Sequence, residues 1–311
     1  MLLKASAPGS LMLMGEFAVL QGKCALVCAV DKRLTVTLSP RSDTRIEITS
    51  SIGQLSTDIT QLEIIKPFQF VLSVLQSFSL HHGFDITIES EFSDTIGLGS
   101  SAAVTVAMLA ALMKWQKGSY SASDLIIRGR DVIRRVQGLG SGADIAASVM
   151  GGVIRYNAET VKVETFPVLL PLLAIYSGYK TPTVEVIQHV QKQFADKPDA
   201  LHAIYNNIGR CSEQAVHFMR ESNWTQLGKS MNAQQEMMQD LGVSTPLMQA
   251  IIEYLRHHPG IFGAKISGSG MGDCVIGLGE LPEQSQCFIQ GQSLLRIPVT
   301  VSQQGVQCEE I

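Results

Sequence analysis

The sequence predicts an α+β fold in two domains, and three observations point there. The first third alternates apolar and polar residues as half-buried strands do. Beyond a proline-flanked break near residue 167, helical spacing predominates. Strands and helices lack the regular strand–helix–strand rhythm of a parallel sheet. The 311 residues, 45% hydrophobic and 17% charged, are enough for two ordinary cores.

The elements follow in chain order. Cys24 to Leu38 starts apolar and then sets Leu34, Val36 and Leu38 against Arg33, Thr35 and Thr37, the pattern of a strand with one face covered. Arg45 to Thr49 and Asp85 to Glu89 alternate similarly, and between them Ile64 to Leu80 has apolar residues at helical spacing. Ser100 to Lys117, rich in Ala, Met and Leu, reads as a buried helix. Asp124 to Val136 reads as a more polar one, with Ser123 as its cap. Gly151 and Gly152 break the chain before strands near Val153–Tyr156 and Val161–Phe166. Pro167 and Pro171 flank the apolar stretch Val168 to Tyr176, which gives domains 1–167 and 168–311. The second domain carries helices at Thr183–Phe194, Ala200–Glu221, Trp224–Leu241 and Pro246–His257. Its strands lie near Ala264–Ser267, Cys274–Leu278 and Ile297–Val301.

Composition narrows the function classes. A net charge of −4 offers no basic surface for nucleic acid. The six cysteines form no CxxC pair and the seven histidines no HExxH, which argues against zinc and for reduced thiols in the cytoplasm. The apolar N-terminus is interrupted by Lys4, Pro8 and Gly9, unlike a signal peptide, and the best apolar run, Val104 to Met113, is about half of a membrane span.

Four segments carry chemistry. Gly97-Leu98-Gly99-Ser100-Ser101-Ala102-Ala103 leads into the apolar helix, where glycines allow close approach and the first amides lack acceptors. With the positive helix end, this is an anion pocket suited to phosphates. Alone, the segment is equally a capped helix after a tight turn. It is neither GxxxxGK[ST] nor GxGxxG. Gly268-Ser269-Gly270-Met271-Gly272-Asp273-Cys274 taken alone is a Gly-rich hairpin. Gly138-Leu139-Gly140-Ser141-Gly142-Ala143-Asp144 presents a carboxylate after a flexible turn, either as a helix-start charge or toward a hydroxyl nucleophile. Pro8 to Leu20 encloses Glu16 in apolar surroundings, where a buried acid needs a partner and a surface one does not.

In order and wording these segments resemble the three motifs of the GHMP kinases: APGSLMLMGEFAVLQGKCALVCAVD, DTIGLGSSAAVTVAML and GAKISGSGMGDCVIGLG, a match running from residue 5 to about residue 279. The resemblance implies a ribosomal-S5-like N-terminal domain, a ferredoxin-like C-terminal domain, and ATP and acceptor bound between them. It implies that Gly97, Leu98, Gly99, Ser100, Ser101 and Ala102, with Gly268, Ser269 and Gly270, hold ATP. It further implies that Ser101 holds Mg²⁺, with Asp131 the nearest acidic residue for a second ligand, and that Asp144 takes the acceptor proton. Ser10, Glu16, Phe17, Ser141 and Gly142 would face the acceptor. One position departs from the pattern: Ser10 stands where this branch of the family carries lysine, and Lys180 is the candidate replacement.

The implied acceptor is mevalonate, favoured by the run Glu16 to Lys23 and by Leu241 to Pro246. The alternative is 5-phosphomevalonate, favoured by Val136-Gln137-Gly138 and Gly272-Asp273-Cys274, with Arg134 and Arg135 as spare cations. A non-catalytic binding protein is a remoter alternative. The expected partners are a small acidic alcohol and a second copy in a homodimer, with no nucleic acid and no membrane.

Overall fold

The architecture is built on one long strand. In this computed structural model, which describes residues 2–282 and 287–311, β2 (Cys24–Pro40) follows β1 (Leu3–Met14) and pairs with it in antiparallel fashion from Leu3↔Leu38 to Met14↔Leu26. The alternation read from Leu34 to Leu38 is present: these positions are buried while their neighbours are half-exposed. Then come β3 (Arg45–Ser50), β4 (Gly53–Asp58), α1 (Gln69–Gln76) and β5 (Phe84–Ser90). These are followed by α2 (Ser100–Lys117), α3 (Ala122–Gln137), α4 (Ala143–Met150), β6 (Val153–Asn157) and β7 (Lys162–Phe166).

The second unit contains β8 (Leu172–Tyr176), α5 (Thr183–Gln193), α6 (Pro198–Arg220), α7 (Trp224–Asp240), α8 (Pro246–Arg256), β9 (Ile261–Ser267) and β10 (Cys274–Gly279). The short strands β11 (Phe288–Ile289), β12 (Gln292–Ser293), β13 (Leu295–Ile297) and β14 (Gln307–Glu310) complete the chain.

Two sheets result. The first has eight strands, ordered β14-β1-β2-β5-β3-β4, with β6 and β7 added where the first half of β2 pairs with β6. The second has four, ordered β13-β8-β10-β9. The Ala-, Met- and Leu-rich α2 lies against β1 and β2, with Ala103, Ala107, Ala110 and Ala111 wholly buried, so small side chains set how near the helix comes to the sheet. Pro8 to Met14 is almost entirely buried because helices cover one side of β1 and the second unit covers the other.

Several expectations need correction. The helix expected over Ile64–Leu80 is confined to Gln69–Gln76, since Pro67 lacks an amide and restricts Lys66 before it. Ser121, not Ser123, caps α3, accepting the Asp124 amide at 3.1 Å. The Gly- and Pro-bearing β1 was read as a motif and not as a strand; it accommodates Pro8 beside a register shift between Pro8 and Ser10. The strand expected over Ile297–Val301 divides at Pro298: Ile297 belongs to the second sheet, whereas Val301 bridges to Val30 of the first. The split into 1–167 and 168–311 therefore misassigns the last strand, since β14 pairs Gln307–Glu310 with Ser6–Leu3.

Ala107→Leu inserts three carbons into a gap with no space for them. We expect a loss of about 1–3 kcal/mol, read as a lower urea midpoint at unchanged slope.

Candidate active site

Four loops converge on the middle of β1. The turn before α2 is fastened there: the Ser10 amide donates to the Leu98 carbonyl at 3.0 Å, and Leu98 is buried. Gly99 has a left-handed backbone (φ 68°), and a Cβ there would lie 2.3 Å from Ser10 Oγ, so only glycine brings the turn this close. The Gly99 carbonyl accepts the Ala102 and Ala103 amides, both at 3.0 Å, so the Ser100 and Ser101 amides at the helix head have no intrahelical acceptor. The Ser100 hydroxyl leans on the Asp94 carbonyl at 3.4 Å. Beside this head opens a cavity of ≈ 430 Å³ walled by Ile52, Phe68, Phe70, Phe92, Ser101 and Val104, of a size and character for a flat apolar group. No residue pattern announces these walls, which come from four separate elements.

Asp144 lies in the first turn of α4. That turn is set by Ser141, whose hydroxyl accepts the Ala143 amide at 3.2 Å and whose carbonyl accepts the Tyr156 hydroxyl at 3.0 Å, and by Gly142 at φ 85°. Ser10 Oγ donates to Asp144 Oδ1 at 2.9 Å, so the position without lysine contacts the carboxylate directly. Asp144 keeps accessible surface on the cleft floor. The surrounding walls nonetheless withdraw bulk water and push its carboxyl above the usual range, against the opposing pull of the Ser10 hydroxyl and the Lys180 ammonium.

Lys180 comes from the loop after β8. Its ammonium lies 3.4 Å from the Asp94 carbonyl and 4.0 Å from Asp273 Oδ1. Asp273 and the buried Ser269 hydroxyl, both in the third Gly-rich turn, each have an oxygen without a hydrogen-bond partner among the described residues. Asp273 is the residue that sequence reading missed as a site residue. Its signal was a lone charge in a turn otherwise made of small residues and methionine.

Three expected site residues are placed elsewhere. Glu16 is buried and ion-paired to the wholly buried Lys265, and the Gln234 side-chain amide donates to its other oxygen. It has no face left for an acceptor. Phe17 is also buried; its ring stacks on Tyr205 at 6.3 Å and joins the core of the second unit. Asp131 is exposed, about 200° round α3 from Gly129, which packs on Ile145 of α4. It faces away from Asp144, and among the described residues no three His, Cys, Asp or Glu side chains are grouped to hold a metal. Ser10, Asp144, Lys180 and the turn 97–102 are brought together, and the turn 268–270 joins them through Asp273.

The chain is also similar to known proteins. The family model described as the GHMP kinases N terminal domain matches residues 65–152, and that described as GHMP kinases C terminal matches residues 215–287. A mevalonate kinase of Methanothermobacter thermautotrophicus is 31% identical over 277 residues, covering 88% of each chain. One from Thermococcus sibiricus is 29% identical over 330 residues, covering 99% of this chain and 98% of its own. The crystal structure of the Lin0012 protein from Listeria innocua shares the fold at a TM-score of 0.84 and 22% identity, with all of both chains covered.

The Glu16–Lys265 pair is testable by itself. Lys265→Met strands a buried carboxylate and is expected to cost about 3–5 kcal/mol in chemical denaturation, part of which Glu16→Gln in the same chain restores.

Proposed function

The chain belongs to the GHMP kinase family, and from that premise we propose that it transfers the γ-phosphoryl group of ATP to a hydroxyl of mevalonate. One observation carries the reading: unpaired amides at the head of α2 and the Asp144 carboxylate face a common cleft, in a chain whose full-length relatives are mevalonate kinases.

The residues present fit a nucleotide. The apolar cavity takes the base, while the Ser100 and Ser101 amides and the positive end of α2 hold the phosphates. Phosphoryl transfer makes little covalent demand on a protein, so positioning and charge do most of the work. Asp144 orients the acceptor hydroxyl and takes its proton, worth about 10²–10⁴-fold for a well-placed base. Ser10 keeps the carboxylate turned to the cleft. Lys180 supplies the cation that Ser10 lacks, offsetting charge on the group in transfer. Magnesium, when bound with the nucleotide, neutralises phosphate charge. The Ser101 hydroxyl, hydrogen-bonded to nothing among the described residues, would hold it, with the remaining ligands from phosphate and water.

Mevalonate suits the cleft better than its phosphorylated form. The two arginines nearest the Asp144 turn are each steered toward a backbone carbonyl, Arg134 Nε to Gly140 at 2.9 Å and Arg135 to Ser73 at 3.1 Å, and among the described residues neither is bonded to a cleft residue. Six free thiols support residence in the reducing cytoplasm. Among the described residues no helix is long and apolar enough to cross a membrane.

ATP-coupled assays test the reading. Turnover on mevalonate with none on 5-phosphomevalonate supports it, and the reverse overturns the choice of acceptor. Asp144→Asn is expected to lower kcat by at least about 10²-fold. The catalytic form of Asp144 is the carboxylate, so kcat falls as pH drops through its raised pKa; the acid limb of the kcat profile lies above the ordinary aspartate value of about 4.

A further inference from the structure

Asp273 has no role in the reaction as described, yet it occupies a costly position. It sits at φ 64°, a left-handed backbone that residues with a side chain seldom adopt. Its backbone is tied on both sides to the loop that carries Lys180: the Asp273 amide donates to the Tyr179 carbonyl at 2.8 Å, and the Asp273 carbonyl accepts the Ser177 amide at 2.9 Å. Thr181 Oγ1 donates to the Met271 carbonyl, a third tie between the same two loops. Gly272 lets the loops touch, since a Cβ there would come within 2.9 Å of the Tyr179 carbonyl and 3.2 Å of Lys180 Cα. The side chain points to the phosphate turn, where a Cβ on Gly97 would meet it at 3.0 Å. Its buried Oδ1 accepts no hydrogen bond from the described residues and faces the Lys180 ammonium at 4.0 Å.

We propose that Asp273 is a positioning residue that holds the Lys180 ammonium between the phosphate turn and Asp144. The inference rests on the reading of Lys180 as the cation of the transfer step. Two carboxylates compete for one ammonium here. Without Asp273, the free end of a flexible lysine is drawn onto Asp144, where it neutralises the base and leaves the phosphoryl path. With Asp273 on its other side, the charge stays in the path and Asp144 stays free to accept a proton. Burial pushes the Asp273 carboxyl up to about 6, with Lys180 lowering it and Asp144 raising it.

The test is a double-mutant cycle on Asp273→Asn and Lys180→Ala, read as kcat with mevalonate and ATP. The affinity for a non-hydrolysable ATP analogue is measured alongside by calorimetry. Asparagine tolerates the left-handed backbone, so the turn survives the change. Each single variant is expected to lose about 10²-fold in kcat with analogue affinity within about threefold of the parent, and the double variant to be no worse than Lys180→Ala alone. Full kcat in Asp273→Asn beside a crippled Lys180→Ala overturns the positioning role and leaves the cation assignment standing. So do losses that multiply in the double variant. Full kcat in Lys180→Ala overturns the cation assignment, and the positioning role with it.

Discussion

The buried pair of Glu16 and Lys265 is the contact on which the rest of the molecule depends. Glu16 follows β1 of the first sheet and Lys265 lies in β9 of the second, and both are almost wholly removed from solvent. Desolvating two charges is expensive, and attraction offsets the cost only when the remaining lone pairs and protons are satisfied. Here Gln234 takes the second carboxylate oxygen and the Ile266 carbonyl accepts from the ammonium. The Gln234 carbonyl oxygen in turn accepts the Gly15 amide at 3.0 Å. These bonds join the end of β1 to β9 and α7, and so set where β1 lies relative to the second sheet.

Everything in the cleft inherits this register. The Met12 amide donates to Ser267 Oγ at 3.0 Å, so the strand that leads into the third Gly-rich turn is tied to the strand that carries Ser10. Ser10 in turn holds both the Leu98 carbonyl and the Asp144 carboxylate. One turn further along α4 the Ser148 hydroxyl donates to the Pro8 carbonyl at 2.6 Å. One strand therefore locates the anion-binding turn, the carboxylate and the third turn at once. The reactive groups stand on loops and at helix starts, but their anchors are in the sheet, an arrangement that gives short-range precision without a rigid loop.

Much of this was legible from residue patterns, for identifiable reasons. The boundaries of α2 follow from a change from glycine to a run rich in Ala, Met and Leu that ends at Gly118, and β2 declares itself by alternation. The anion-binding turn is a local feature, complete within seven residues, and local features survive in one dimension. Glu16 was misread because its partner is 249 positions away and nothing in the surrounding residues announces it. The apolar cavity was invisible for the same reason. β1 is hidden by its own proline and glycine, which serve a register shift and a close approach that only the assembled sheet explains. Asp131 was chosen for proximity along the chain, and helical rotation then carried it to the wrong side.

The return of β14 to the first sheet has a consequence for how the polypeptide is made. A ribosome releases β1 early and β14 only after every helix of the second unit, so the open edge of β1 over Leu3–Ser6 waits throughout that interval with unpaired amides and carbonyls. An uncovered edge invites pairing with another nascent chain. The first unit thus reaches its finished form after the second has emerged, reversing the simple order in which domains mature during translation.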